Sequence, residues 1–515
     1  MSTDILPSHA EGSAADEPSA PRSPIRLVIY GVVVVLVLAL LGGVAFAVRS
    51  LSGGGSQPED ALPGGALAFA KVDLDPPAGQ KINAVRFLRK FPTLREHIGL
   101  DADLRKSLFE ELSQSAGWQD LDFDKDVDPW LGQRVGVAGY APPKGQVGSD
   151  EAFNTPPVVV ALQITDADKA RKGLDKLVAA TPDAPKPGIV VQDDYALIAE
   201  DQATVDKAAR DAGTSVLGAD GDFSSDLAAL GDGVASAWLD TDAVVEALGR
   251  LGGGMFGVGA PAAVGGFNGR SAFVLRFDGA NALEVHGTSS GGRPLGDPKK
   301  ALTGFGDLPE GSVVAFGLAG GDKLVPDLFA EVRRMFEEMK KTDPEVDFDA
   351  MVADAERELG IELPEDLAVL VGSNLVGALD TESETAFDIG AKVTTDGPRA
   401  LEVLDRLAAA AEANGEEFPV FSNGTDDGVI VGSSKEQVGR LAAGGSLGDD
   451  DVVAGALPDL DDATFALWVD IRALGTQFSE GGGVDENLAP VQGLGITAKM
   501  SGNGEADFRL RLVVR

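Results

Sequence analysis

Aspartates alternate along Asp120-Leu-Asp122-Phe-Asp124-Lys-Asp126-Val-Asp128, a dense set of oxygen donors of the kind a hard cation takes. The pattern fails as a calcium loop at its decisive places. Counted from Asp120, the sixth position is Lys125 where glycine is needed, and the twelfth is Leu131 where a bidentate glutamate is needed. Starting at Asp122 or Asp124 puts Gln133 or Val135 at the twelfth position. The reading preferred is a solvated surface in which Asp126 or Asp128 caps the short turn carrying Trp130 and Leu131 into the core. Calcium near Asp120, Asp122 and Asp124 is a weak alternative. No metal set and no cofactor is assigned.

Other chemistry-bearing residues are sparse. Beyond the first 60 residues the chain has two histidines, His97 in a helix-like stretch and His286 in a strand-like one. A serine triad, a cysteine–histidine pair or a clustered zinc site needs more partners than these. Trp238 and Trp468 each precede an aspartate by two positions, Asp240 and Asp470, on apolar strands. Residues i and i+2 share a strand face, so each indole could sit beside a carboxylate and hold a sugar or a cation. The stronger reading packs the indole in the core and makes each aspartate a helix cap. The Gly-rich stretch 249–269 has no Gly-Lys-Ser/Thr and no dinucleotide fingerprint, so it does not read as a phosphate cradle. It reads as a loop, with Met255, Phe256 and Phe267 as apolar anchors for lipid or a partner; residues 480–486 are its acidic counterpart. No catalytic residue is assigned.

The elements that would carry these residues begin with Leu27 to Val48, 22 residues without a charge. A helix of that length is about 33 Å long, enough for a hydrocarbon core. Arg22 and Arg26 precede it and Arg49 follows, which favours a cytoplasmic N-terminus. The expected organisation is a disordered cytoplasmic tail (1–26), a transmembrane signal anchor (27–48), a flexible linker (49–60) and an extracytoplasmic remainder. Cleavage after Ala45-Phe46-Ala47 is the rival, but its apolar region exceeds the usual signal-peptide length. Absence of cysteine excludes a lipoprotein anchor and disulfides. With 82 acidic against 43 basic residues, the net charge of −39 excludes nucleic-acid binding, which needs a basic footprint.

The remainder reads as a duplication. Leu62-Pro63-Gly64-Gly65 before a strand matches Leu308-Pro309-Glu310-Gly311. Ala161–Leu177 matches Ala391–Leu407 as strand, Thr-Asp turn and amphipathic helix. Tyr195–Ala209 matches Gly428–Ala442, and Ala235–Leu248 matches Thr464–Phe478. Two α+β repeats, 61–290 and 302–515, follow, each an antiparallel sheet covered by helices.

Three features resemble the bacterial family named domain of unknown function 3352. They are the Leu-Pro start, the Asp128-Pro-Trp-Leu-Gly132 run before strand Val135–Ala138, and the strand–turn–helix opening at Asp166 to Ala170. In the second repeat Gly360 to Leu367, followed by Val369 to Gly372, looks like the same helix-to-strand junction without the Pro-Trp pair. The resemblance implies membrane-anchored or secreted proteins with no assigned activity. It supplies no catalytic residues.

The fold class expected is therefore α+β: a single N-terminal transmembrane helix, then a duplicated sheet-and-helix unit. The function expected is a membrane-tethered, extracytoplasmic binding or scaffold protein of the cell envelope, more a binder than an enzyme. Its partners would be the bilayer through 27–48 and an envelope protein, lipid or glycan. The alternatives are a carboxylate-based hydrolase of envelope glycans, which needs two acids about 5–9 Å apart, and a carrier of an apolar envelope molecule.

Overall fold

A computed structural model of the chain describes residues 55–515 apart from 75, 93–104, 107–108, 111–112, 114–117, 119, 142–156, 182–184, 251–268, 293–299, 342, 345, 384–385, 416–417, 479–487 and 502–503. The transmembrane helix expected at 27–48 lies outside the described residues. Among those described, no helix is long and apolar enough to cross a membrane. The longest, Gly321–Lys340, carries Asp322, Lys323, Asp327, Glu331, Arg333 and Arg334 in its first two-thirds alone. The fold class is corrected accordingly to α+β built on one large sheet. The bilayer contact, the single-pass topology with a cytoplasmic N-terminus, and the tethered envelope role rested on that helix; no described helix supplies one, and these expectations are set aside.

Among the described residues sixteen strands form one antiparallel sheet. The first eight are β1 Ala68–Asp73, β2 Leu131–Gly139, β3 Val158–Ile164, β4 Gly188–Gln192, β5 Tyr195–Ala199, β6 Ala235–Asp240, β7 Arg270–Asp278 and β8 Ala282–Ser290. The second eight are β9 Val314–Ala319, β10 Asn374–Ser383, β11 Ala386–Thr394, β12 Phe421–Thr425, β13 Gly428–Gly432, β14 Phe465–Val469, β15 Val491–Met500 and β16 Ala506–Val514. Across the sheet they run β12-β13-β11-β10-β9-β14-β15-β16-β8-β7-β6-β1-β2-β3-β5-β4. Read outward from the β16–β8 seam, the two halves have the same order. The repeats are thus not separate helix-covered sheets; their terminal strands join them.

Helices fill the connections. The first half has α1 Ala78–Leu88, α2 Ala167–Ala179, α3 Gln202–Ala212, α4 Gly221–Leu230 and α5 Thr241–Arg250. The second has α6 Gly321–Lys340, α7 Phe348–Leu359, α8 Glu365–Val371, α9 Gly397–Ala413, α10 Lys435–Ala443, α11 Asp451–Ala456 and α12 Ile471–Phe478. Their starts are set by local chemistry, a side-chain oxygen taking the orphan N–H groups of the first turn. Asp166 caps α2, Asp396 caps α9, Asp220 caps α4 and Asp450 caps α11.

One side of the sheet, here the near face, carries Trp238 and Trp468 and packs under α3, α4, α10 and α11 in two matching cores. In the first core Phe223 meets Phe69 and Trp238 edge-on, with ring centroids 5.2 and 5.5 Å apart. The far face is also apolar. Ile389, Leu379, Val314, Val469, Leu494, Leu512, Leu283 and Phe277 stand directly opposite one another across eight successive strands. Phe277 is buried with Phe87 and Leu88 of α1, whereas Phe387 and Ile389 at the other end are 43% and 48% exposed. Apolar side chains on both faces explain why the strands show little polar–apolar alternation in sequence.

Candidate functional site

The seam between β8 and β16 places charged groups on the near face that are distant in sequence. Its register sets Glu284 opposite Arg511, His286 opposite Arg509 and Thr288 opposite Asp507. Glu284, 1% exposed, lies 2.5 Å from Arg276 and 3.1 Å from Arg511, and Arg511 reaches Asp278 at 2.6 Å. Two residues along β8, His286 Nε2 and Asp507 Oδ2 are 2.7 Å apart. Arg509 pairs with Asp459 at 2.6 Å and Lys499 with Asp462 at 3.1 Å. Asp459, Asp462, Thr497, Lys499, Asp507 and Arg509 line an open cavity of about 350 Å³.

These groups neutralise one another. Burial pushes the Asp507 carboxyl up, but the hydrogen bond and charge of His286, with Arg509 and Lys499, outweigh it and hold Asp507 below its ordinary value. A general acid needs the opposite shift. His286 Nδ1, the nitrogen turned away from Asp507, is buried and has no partner among the described residues. A base must present that nitrogen to a substrate, and here it is buried. The pair ties the halves together.

A second cluster sits where α8 meets α9. Asp366, with its side chain 1% exposed, accepts from Arg399 at 2.8 Å, from Arg406 at 2.6 Å and from the Glu362 backbone N–H at 2.8 Å. Burial raises this carboxyl, and the Glu362 N–H and both guanidinium groups lower it further than burial raises it. The first half repeats the device in the acidic ladder: Asp126 accepts from the Asp122 N–H at 3.0 Å and from Lys176 at 2.5 Å. Beside α8, Pro326, Phe329, Arg333, Arg334, Glu337 and Pro364 border an open hollow of about 330 Å³.

Asp122, Asp124 and Asp128 of the ladder are engaged as well. Asp122 caps the turn Phe123–Val127 by accepting from the Lys125 N–H, Asp124 pairs with Lys106 and Asp128 with Arg105. The capping aspartate is therefore Asp122, where Asp126 or Asp128 was expected. Trp130 is buried and donates its indole N–H to the Asp126 carbonyl at 2.6 Å. Among the described residues no group of three or more His, Asp or Glu side chains is arranged to hold a metal ion.

Neither Trp-Asp pair forms a binding site. Asp240 accepts from the Ala243 N–H and Asp470 from the Ala473 N–H, both as helix caps. The Trp238 indole donates instead to Asp226, which also holds Arg270. His97 and the stretches 251–268 and 480–486 lie outside the described residues. Sequence reasoning missed the His286–Asp507 pair, whose members are 221 positions apart. It also missed Asp366, although Lys176 and Arg406 occupy matching places in the two strand–turn–helix segments and point to a shared acidic partner.

The chain matches the family described as Protein of unknown function (DUF3352) over residues 28–193. The match spans β1 to β4 and therefore the ladder, Trp130 and the cap of α2. No curated protein matches the chain.

Proposed function

We propose that the described region is a non-catalytic module that binds other proteins through its sheet. The observation that carries this reading is how the two faces differ. Near-face charges at the seam are spent on one another, while the far-face apolar row runs out to Phe387 and Ile389 at roughly half exposure. Exposed apolar groups in continuity with a core favour macromolecular contact. A carboxylate hydrolase at the seam cavity would need one acid held protonated, and Asp507 there is shifted the other way. A carrier would need an enclosed apolar chamber, and the two hollows described are open and lined with charged groups.

The test uses Nile red, an uncharged dye that brightens on apolar surface, with the full chain and the double variant Phe387→Glu/Ile389→Glu. The expected result is several-fold brightening with the native chain, lost in the variant without loss of cooperative unfolding. Equal brightening by both would remove the far face from the reading. Turnover of p-nitrophenyl esters or glycosides that disappears in His286→Asn would overturn the non-catalytic assignment.

A further inference from the structure

The two outer edges of the sheet are built differently. In β4 the two-residue turn after Gln192 makes Gln192 and Tyr195 a hydrogen-bonded pair, so the N–H and C=O of Ile189 point outward. Gln202, at the start of α3, closes them: its amide oxygen accepts from the Ile189 N–H at 3.2 Å and its amide nitrogen lies 3.4 Å from the Ile189 carbonyl. Gly188 permits this closeness, since a Cβ there would lie 2.1 Å from the Asp201 carbonyl oxygen. Pro185, Lys186 and Pro187 lead into the strand. Proline, lysine and a covering side chain are devices that block strand addition.

The other edge has Pro419 in its approach but no lysine there and, among the described residues, no side chain closing its outward backbone groups. By the same turn arithmetic, Ser422 and Gly424 of β12 point their N–H and C=O outward. Lys435 stands where Gln202 stands, and its ammonium lies over the Phe421 ring, 5.6 Å from its centre. Among the described residues no hydrogen bond reaches the outward groups of Ser422 or Gly424. Every residue of β12 is exposed, and Phe418, Val420 and Phe421 give the approach an apolar character.

We propose that β12 is a docking edge that takes an extended segment of another protein as a seventeenth, antiparallel strand. This rests on the protein-binding reading above and names the surface and the partner chemistry. Charge chooses the partner. The exposed Asp426 and Asp427 stand at the end of β12 where an antiparallel segment begins, and the chain carries −39 overall. The segment that fits has Lys or Arg at its N-terminal end, then alternating apolar residues. A second copy of this chain is the wrong partner by sequence: its β12 is preceded by Glu416 and Glu417, acids where the docked segment needs bases.

The probe is a labelled peptide Lys-Lys-Val-Thr-Val-Thr-Val, with Glu-Glu-Val-Thr-Val-Thr-Val as control, offered to the full chain. Binding is read by anisotropy and by hydrogen exchange with mass spectrometry. The inference expects the basic peptide to slow exchange in 421–425 and not in 188–192. It also expects at least tenfold weaker binding in Lys435→Gln, which rebuilds the Gln202 seal, and in Ser422→Pro, which deletes an outward N–H. Equal protection of both edges, unchanged binding by both variants, or equal binding of the acidic control would overturn it. So would a concentration-dependent dimer with 421–425 protected in the absence of peptide. A failed peptide with the Nile red result intact sinks the docking edge alone, whereas turnover sinks the broader reading.

Discussion

Asp366 and Asp126 show one device at two depths. Both take a backbone N–H from four residues earlier and a base from the helix beyond the next strand pair. Asp366 is fully buried between two arginines, whereas Lys176 beside Asp126 has 58% of its side chain exposed. Losing the charge of a buried carboxylate that holds two half-buried guanidinium groups costs more than losing one end of a surface ion pair. Asp366→Asn is expected to lower unfolding free energy by about 2 kcal/mol, and Asp126→Asn by clearly less, measured by urea denaturation. The sign with pH follows from the lowered Asp366 value. Its contribution is fully present above the unfolded carboxyl value of about 3.9 and is lost as pH falls through the lower folded value. The wild-type stability should therefore drop in that acid window, and Asp366→Asn should show a shallower drop. The ladder carries a third expectation at this scale. Because Asp122, Asp124, Asp126 and Asp128 already hold bases or N–H groups, millimolar calcium should move the melting temperature by less than about 1 °C. A larger rise would restore the cation reading.

Among the elements, what sequence makes legible is what chemistry makes local. Aspartates at 166, 240, 396 and 470 read as turn or cap residues, and each accepts from the first turn of a helix. The strand–turn–helix runs at 161–177 and 391–407 contain β3 with α2 and β11 with α9. Val369–Gly372, read as the start of a strand, is instead the end of α8, because a short apolar run has no period to separate helix from strand. The seam was illegible for a different reason. Nothing in β8 or β16 alone states that they pair, and the burial of His286 follows from that pairing. Glycine 287 exposes the constraint: a Cβ there would lie 2.2 Å from the Phe508 ring on the strand opposite. Gly287→Ala should therefore wedge the seam and cost about 2 kcal/mol. Denaturation of that variant, with tryptophan emission from both halves, measures it.

For the molecule as a whole, the seam makes two related halves one body, whose sheet has two edges among the described residues. A sheet of that size offers broad faces and strand ends more readily than a deep chamber, which is why the functional reading falls on surfaces. Continuity also has a thermodynamic signature. Glu284 and Arg511 are buried and paired across the seam, so separating the halves would break that pair and expose the apolar row that crosses it. Both halves should then unfold in a single calorimetric transition, and two resolved transitions would mark independent lobes.

Pairing of β8 with β16 within one chain is the claim on which the buried histidine, the unbroken far-face row and the count of edges depend. Ser289 and Ala506 stand directly opposite on these strands, and the chain contains no cysteine. Opposed antiparallel residues lie within disulfide reach. Mild oxidation of the Ser289→Cys/Ala506→Cys chain, followed by intact mass and thiol titration, should give a monomer with its thiols consumed. Free thiols, or disulfide-linked dimers, would contradict it.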